Sequence, residues 1–90
     1  GKAKGVKVTP SFGGECFPAK FKFQYSADGL FWHDVAGASY DYTNSPVTDS
    51  SPIAFTFDSA VKADFIRIVA TELTAYNGLY ALRIAEIHAF

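Results

Sequence analysis

The sequence predicts an all-β fold, an antiparallel β-sandwich, formed as a single domain over residues 1–90. Apolar residues recur with a period of two residues rather than the helical period of about 3.6. Aromatic residues make up 17% of the chain, with 9 Phe and 5 Tyr, and these residue types favour strands. Turn-forming residues separate the short apolar runs, which is the pattern of a sandwich or a barrel.

The N-terminal half contains two clear alternating segments. Val6 and Val8 alternate with polar residues until Pro10 ends the run. Residues 21–25 read Phe-x-Phe-x-Tyr, which predicts a strand with one buried face. Each segment therefore predicts one strand of the sandwich.

The dipeptide Asp28-Gly29 predicts a tight hairpin turn, because both residue types tolerate the positive φ that such turns need. Residues 31–35 then form the return strand. Trp32 lies in that strand, and burying so large a ring contributes strongly to a small core. We therefore expect Trp32 in the core rather than at a ligand site.

The middle of the chain is rich in turn-forming residues. Gly, Asn, Pro, Asp and Ser cluster over residues 36–52, which predicts a long loop with at most a short strand at 40–43. Residues 53–57 alternate and predict a strand. Residues 60–64 are the one place where a single helical turn is expected.

The C-terminal segment predicts two further strands. Residues 65–71 are rich in β-branched side chains and form the first; a turn over 75–78 leads to the final strand, 80–90. One period-two face of that final strand carries Leu82, Ile84, Glu86 and Phe90.

The charge balance excludes some classes of partner. The chain has 8 basic and 9 acidic residues and a net charge of −1. A nucleic-acid binder needs a basic surface, and electrostatic membrane attachment needs one too, so neither partner is expected. Cys16 is the single cysteine, which leaves no internal disulfide to form. No apolar run approaches the roughly 20 residues that span a bilayer.

Three stretches, taken in order, resemble the C-terminal part of coagulation factor V/VIII C-type domains, also called discoidin domains. They are FPAKFKFQYSADGLFWHDV, FTFDSAVKADFIRIVATEL and the closing YALRIAEIHAF. The resemblance implies a jelly-roll sandwich of the galactose-binding-like type that lacks its N-terminal strands. The family includes the family 32 carbohydrate-binding modules of many bacterial glycoside hydrolases.

That resemblance implies a non-catalytic carbohydrate-binding module. It would be attached to an exported bacterial glycoside hydrolase or surface protein, beside neighbouring domains, and would bind a glycan in an extracellular, periplasmic or cell-surface location. The alternative is an adhesion or protein-recognition domain, or a spacer without a ligand. Catalysis is the weakest interpretation, because Asp41 and Asp49 on a loop are a poor scaffold for a glycosidase carboxylate pair.

Two loops carry the candidate sugar-binding residues. Sugar binding needs an aromatic face for the pyranose ring and planar polar groups for its hydroxyls. The first loop offers Phe12 and Glu15 around two glycines, and the second offers Tyr76, Asn77 and Tyr80. For the second loop, an Asn-Gly turn with a surface-packed tyrosine is the alternative. The 40–44 segment is a third, weaker candidate.

The resemblance also implies a structural calcium ion, held by Ala85 and Glu86 together with ligands from the N-terminal part of the family's domain. Calcium takes about six to eight oxygen ligands, so these two residues alone do not suffice. The alternative for Glu86 is an ordinary ion pair with Arg67 or Arg83.

Overall fold

The computed structural model describes residues 1–76 and 79–90; for residues 12, 75, 76 and 79–81 it describes the backbone alone. A short 3₁₀ turn covers Phe12–Gly14. The strands are β1 (Lys2–Pro10), β2 (Lys20–Ser26), β3 (His33–Asp41), β4 (Ile53–Lys62), β5 (Phe65–Glu72), β6 (Thr74–Tyr76), β7 (Leu79–Ala81) and β8 (Ile84–Ala89). In the described part of the chain, no helix is long and apolar enough to cross a membrane.

The strands form two three-stranded antiparallel sheets and a two-stranded ribbon. Sheet one has the order β4-β1-β8 and sheet two has the order β3-β2-β5, while β6 pairs with β7. The central strands, β1 and β2, are the two alternating segments of the N-terminal half. The two sheets pack face to face, so the predicted antiparallel sandwich is confirmed.

Aromatic side chains fill the space between the sheets. Phe21 and Phe23 of β2 are fully buried, and Phe55 of β4 faces them from sheet one. The Phe55 ring centroid lies 5.5 Å from that of Phe21, 5.4 Å from Phe23 and 4.7 Å from Tyr40. Rings at these spacings contribute about 0.5–1.5 kcal/mol per pair beyond the burial of their area. The core is therefore held by an aromatic cluster that bridges both sheets.

The strand β3 is longer than the sequence indicated. Residues 36–41, predicted as the start of a loop, continue the strand. Lys22 pairs with Ser39 and Gln24 pairs with Asp34, so residues 35–38 bulge opposite β2. Gly37 adopts a φ of 73° within that bulge. Gly37 therefore marks a bulge inside β3, whereas the sequence pattern indicated that the strand ends before it.

Two further expectations are wrong for related reasons. The helical turn expected at residues 60–64 is absent, because β4 extends to Lys62. The final strand is divided into β7 and β8. Thr9 pairs with Glu86 and Pro10 pairs with Ile84, so Ala85 is an extra residue and the faces exchange there. Ile84 consequently packs on the core while Glu86 is exposed, although the sequence placed both on one face.

Trp32 is not in the core. It lies half-buried before β3, on the outer face of sheet two, where the Arg67 guanidinium carbon is 4.0 Å from the ring centroid. Arg67 also donates to Gln24 Oε1 from Nε at 2.9 Å and from Nη2 at 2.8 Å. The prediction that Trp32 lies in the core is therefore wrong. The Arg67 guanidinium covers the Trp32 ring, and the opposite sheet does not.

Candidate functional site

Two segments meet at the end of the sandwich where β2 begins and β3 ends. The first, residues 11–19, connects β1 to β2; the second, residues 42–52, connects β3 to β4. The Gly13 amide donates to Ser50 Oγ at 2.9 Å, and the Tyr42 amide donates to the Ala19 carbonyl at 2.7 Å. These bonds fix the two segments against each other, and we call this region the loop end.

The loop end has an aromatic floor. The Phe17 ring stacks on the Tyr42 ring, with centroids 6.2 Å apart and planes 21° apart, and its edge meets Phe21 at 5.5 Å. Phe17 is buried, whereas Tyr42 is half-buried. Desolvation raises the pKa of the Tyr42 hydroxyl, so this group stays protonated at neutral pH and can donate a hydrogen bond.

A cleft of 160 Å³ opens above this floor. Its walls include Gly14, Thr43, Val47 and Thr74. This volume is smaller than the roughly 300–1,000 Å³ of pockets that enclose a drug-sized ligand. It suits a single small ring bound at the end of a longer molecule.

The first segment owes its shape to backbone conformations that few residues adopt. Gly13 has a φ of 66°, Gly14 has a φ of 92°, and Cys16 has a φ of 62°. A Cβ on Gly14 would lie 2.6 Å from the Val47 carbonyl oxygen. The buried Cys16 accepts a hydrogen bond at its carbonyl from the Arg83 amide at 3.0 Å. The close approach of the two segments therefore depends on glycine at position 14.

Polar groups stand at the rim of the cleft. Asp41 Oδ1 accepts hydrogen bonds from the Thr43 hydroxyl at 2.5 Å and from the Thr43 amide at 2.9 Å. These bonds from Thr43, with a smaller contribution from Lys20, lower the pKa of Asp41. Thr43, which lines the cleft, keeps free lone pairs on its hydroxyl, while the second carboxylate oxygen of Asp41 lies 4.0 Å from Lys20 Nζ.

The opposite wall is connected to the second candidate loop. The Thr74 hydroxyl donates to the Phe17 carbonyl at 2.6 Å, and Thr74 begins β6. The ribbon that continues from it pairs Ala75 with Tyr80 and Tyr76 with Leu79. The structure thus brings the base of the 74–81 ribbon, the 12–17 segment and the 42–47 segment to one cleft.

The roles of the sequence-predicted sugar residues stay predictions. Glu15 is exposed next to the lining segment. The side chains of Phe12, Tyr76 and Tyr80 lie outside the described part of the structure, and Asn77 lies outside the described residues altogether.

Sequence reasoning did not single out Phe17, Thr43 and Thr74, which line the cleft. Tyr42 and Thr43 belong to the 40–44 segment that had been ranked lowest. Residues 41–43 read Asp-x-Thr, a spacing that favours a turn in which the Asp side chain accepts backbone hydrogen bonds. This pattern marks the C-terminal end of β3.

The predicted calcium ligands do not form a cation site by themselves. Glu86 has a 63% exposed side chain, and its Oε2 lies 3.2 Å from His88 Nε2. Among the described residues there is no group of three or more His, Cys, Asp or Glu side chains that could hold a metal ion. Ala85 and Glu86 therefore do not fit calcium without oxygen ligands from elsewhere. Glu86 therefore contacts His88, and this contact is an ion pair only when the imidazole is protonated; the expected pairing with Arg67 or Arg83 stays a prediction.

A family model described as the F5/8 type C domain matches residues 2–87. No curated protein matches the chain. The matched range begins with β1 and ends within β8, so it covers both sheets and the loop end.

Proposed function

The chain belongs to the F5/8 type C family, and from that membership and the loop-end cleft we propose that it is a non-catalytic carbohydrate-binding module. Domains of this family have a galactose-binding-like fold and are often carbohydrate-binding or adhesive. They are generally binding domains without catalytic activity. A fold alone does not determine a function, so the proposal depends on the site.

One observation carries the proposal: three chain segments converge on a concave surface with an aromatic floor and a polar rim. The apolar C–H face of a pyranose packs against Tyr42, which is only half-buried and is supported from behind by Phe17. The Thr43 hydroxyl, which Asp41 orients, then accepts from a ring hydroxyl, and the Tyr42 hydroxyl supplies a donor. The cleft volume of 160 Å³ matches a single sugar ring better than a drug-sized ligand.

The same proposal includes the setting. The module is attached to an exported bacterial glycoside hydrolase or surface protein, outside the cytoplasm, and keeps it close to glycan by raising the effective concentration of substrate. The family resemblance supports this setting, and it is tested by the domain composition of the full-length protein.

Substitutions in the cleft test the site. Immobilised glycans terminated by galactose, N-acetylhexosamine, fucose or rhamnose would be probed with the wild-type chain and with Tyr42→Ala, Thr43→Ala and Phe31→Ala. We expect at least one glycan to bind the wild type and Phe31→Ala equally, and to bind both cleft variants about tenfold more weakly. Binding that is unchanged in Tyr42→Ala and Thr43→Ala would contradict the proposal.

A protein-recognition or adhesion function is the second candidate, and one observation favours it. At the opposite end of the sandwich, the side chains of Leu30 and Phe31 are 78% and 72% exposed. Paired exposed apolar side chains on an ordered turn are typical of protein contacts. The Phe31→Ala variant bears on this candidate. If that variant alone lost glycan binding, the binding surface would lie at this end of the sandwich and not at the cleft.

A further inference from the structure

The loop between β2 and β3 contains Asp28-Gly29, a dipeptide whose backbone can rearrange with water as the only other reactant. The Gly29 amide nitrogen attacks Asp28 Cγ and forms a C–N bond, because glycine has no side chain to obstruct the approach. The amide proton and the carboxyl hydroxyl leave as water, which closes a succinimide ring. Water then opens the ring. Addition at Cγ restores aspartate, whereas addition at the Asp28 backbone carbonyl gives isoaspartate, whose main chain runs through Cβ and Cγ.

Solvent access does not prevent this reaction at Asp28. The Asp28 side chain is exposed, and the neighbouring Leu30 and Phe31 are 78% and 72% exposed. The reaction has two other requirements. The peptide plane between Asp28 and Gly29 must rotate until the Gly29 nitrogen faces Asp28 Cγ, and the carboxyl group must be protonated so that its hydroxyl can leave. The structure of the loop opposes both.

Ser26 restrains the nucleophile. It is fully buried at the end of β2, and its Oγ accepts hydrogen bonds from the Asp28 amide at 3.2 Å and from the Gly29 amide at 2.8 Å. The Ser26 carbonyl accepts from the Asp64 amide at 3.1 Å, which anchors Ser26 beside the start of β5. Because two successive amides donate to one anchored oxygen, the peptide plane between them cannot rotate towards Asp28 Cγ until these bonds break.

The electrophile is held in its unreactive form. Asp28 Oδ1 accepts hydrogen bonds from the Phe31 amide at 3.0 Å, the Leu30 amide at 2.8 Å and the Ser26 hydroxyl at 3.0 Å. These donors, in that order of effect, stabilise the carboxylate and lower the pKa of Asp28. An ionised carboxyl group has no hydroxyl to release, so ring closure is disfavoured at neutral pH.

We propose that Asp28-Gly29 is a modification site that isomerises only when this loop opens, and that Ser26 is the residue that protects it. Isoaspartate adds Cβ and Cγ to the main chain and leaves the carboxylate on Cα. The Leu30 and Phe31 amides then lose the acceptor that holds them, so an opened loop stays open. The site lies at the opposite end of the sandwich from the loop end, and its reaction does not depend on whether the cleft binds a sugar.

Accumulation of isoaspartate measures the protection. The folded wild-type chain and the same chain unfolded in concentrated urea would be incubated at neutral pH and body temperature. Isoaspartate is quantified by enzymatic methylation of its free Cα carboxylate and located at residue 28 by electron-transfer fragmentation. We expect at least about tenfold slower accumulation in the folded chain, because the loop bonds must break before the attack. Equal rates in the folded and unfolded chains would overturn the proposal.

The variant Ser26→Ala tests the role of Ser26. It removes the acceptor of the Gly29 amide, and we expect isoaspartate to form about tenfold faster than in the folded wild type. Val8→Ala is the matched control, because it also truncates a fully buried side chain but lies in sheet one. It should react at nearly the wild-type rate while circular dichroism shows the chain folded. Equal acceleration in the two variants would show that global unfolding controls the reaction, and would overturn the role of Ser26.

Amide hydrogen exchange tests the restraint in the wild-type chain, whatever the stability of Ser26→Ala. Because the Gly29 amide is bonded to Ser26 Oγ, it should exchange at least about tenfold more slowly in the folded chain than in the unfolded chain. A Gly29 amide that exchanges equally fast in both states would contradict the restraint and overturn the proposal.

Discussion

Two neighbouring glycines show how single backbone positions shape the cleft. Both Gly13 and Gly14 have positive φ, which side-chain-bearing residues rarely adopt. A Cβ on Gly13 meets no atom within 4 Å, whereas a Cβ on Gly14 would lie 2.6 Å from the Val47 carbonyl oxygen. At Gly13, therefore, only the backbone conformation requires glycine, whereas at Gly14 the contact with Val47 requires it as well.

The pair leads to a graded prediction. Gly13→Ala should lower the free energy of unfolding by about 1–2 kcal/mol, the cost of left-handed backbone with a side chain. Gly14→Ala should cost about 1–3 kcal/mol more, because the 42–52 segment must also move away. Urea unfolding of both variants against the wild type checks this. Equal losses in the two variants would mean that contact with Val47 does not constrain the cleft.

At the scale of elements, the loop between β2 and β3 is fixed by side chains rather than by a two-residue turn. Asp28 Oδ1 accepts hydrogen bonds from the Leu30 amide at 2.8 Å and the Phe31 amide at 3.0 Å. Ser26 Oγ accepts from the Gly29 amide at 2.8 Å. The Asp28-Gly29 signal correctly located a hairpin, but the loop spans residues 27–32.

The Asp28 carboxylate gives a pH-dependent prediction. The backbone bonds from Phe31 and then Leu30, followed by the Ser26 hydroxyl, lower the pKa of Asp28 below 3.8. The pKa of Asp28 is lower in the folded chain than in the unfolded chain. The Asp28 carboxylate therefore stabilises the fold at pH values above its unfolded pKa, and this stabilisation is lost as the pH falls through its folded pKa. Asp28→Asn should therefore destabilise the chain at pH 7 and converge towards the wild type as the pH falls below the folded pKa of Asp28.

Urea unfolding at several pH values measures that convergence. Asp49→Asn is the control, because Asp49 accepts a backbone hydrogen bond from Ser51 within the 42–52 loop. A constant difference between Asp28→Asn and the wild type across the whole pH range would show that the charge of Asp28 has no part in holding the loop.

The strands and bulges differ in how well the sequence predicts them. The strands β2 and β5 were predicted almost to their ends, because β2 alternates without interruption and β5 is rich in β-branched residues. The bulges at Gly37 and Ala85 were not, since a bulge changes which residues share a face without changing composition. Glu86 was therefore assigned to the wrong face, and Trp32 to the core rather than beneath Arg67.

For the whole molecule, stability depends on a small aromatic core between two three-stranded sheets. Phe23 is fully buried and contacts the rings of Tyr40, Phe55 and Phe57. Domains of this size have only about 5–15 kcal/mol of net stability. A single cavity in this cluster therefore removes a large part of it.

Phe23→Ala should lower the free energy of unfolding by about 3–5 kcal/mol, as large-to-small core substitutions do. Phe31→Ala, which removes the same ring from an exposed site, should change it by less than about 0.5 kcal/mol. Thermal unfolding followed by circular dichroism measures both. If the two variants unfolded together, the inter-sheet aromatic cluster would not be the main support of the fold.

The convergence of distant segments is also a property of the whole molecule. Gly14, Thr43 and Thr74 come together only because β2 pairs with both β3 and β5, and one sequence does not specify which strands pair. The sequence singled out segments 12–17 and 40–44, which meet at the cleft, but not the stacking of Phe17 on Tyr42 that forms its floor. The family resemblance provided the fold, and the geometry provided the site.

The most direct test of the proposed sugar site is a two-dimensional amide NMR titration of the chain with galactose, N-acetylhexosamines, fucose and rhamnose. The account predicts that one of these sugars shifts the amides of Gly14, Tyr42, Thr43 and Thr74, while Leu30 and Phe31 at the opposite end stay unchanged. Amides that respond to none of the sugars, or that respond only at residues 27–32, would contradict a carbohydrate-binding cleft at the loop end.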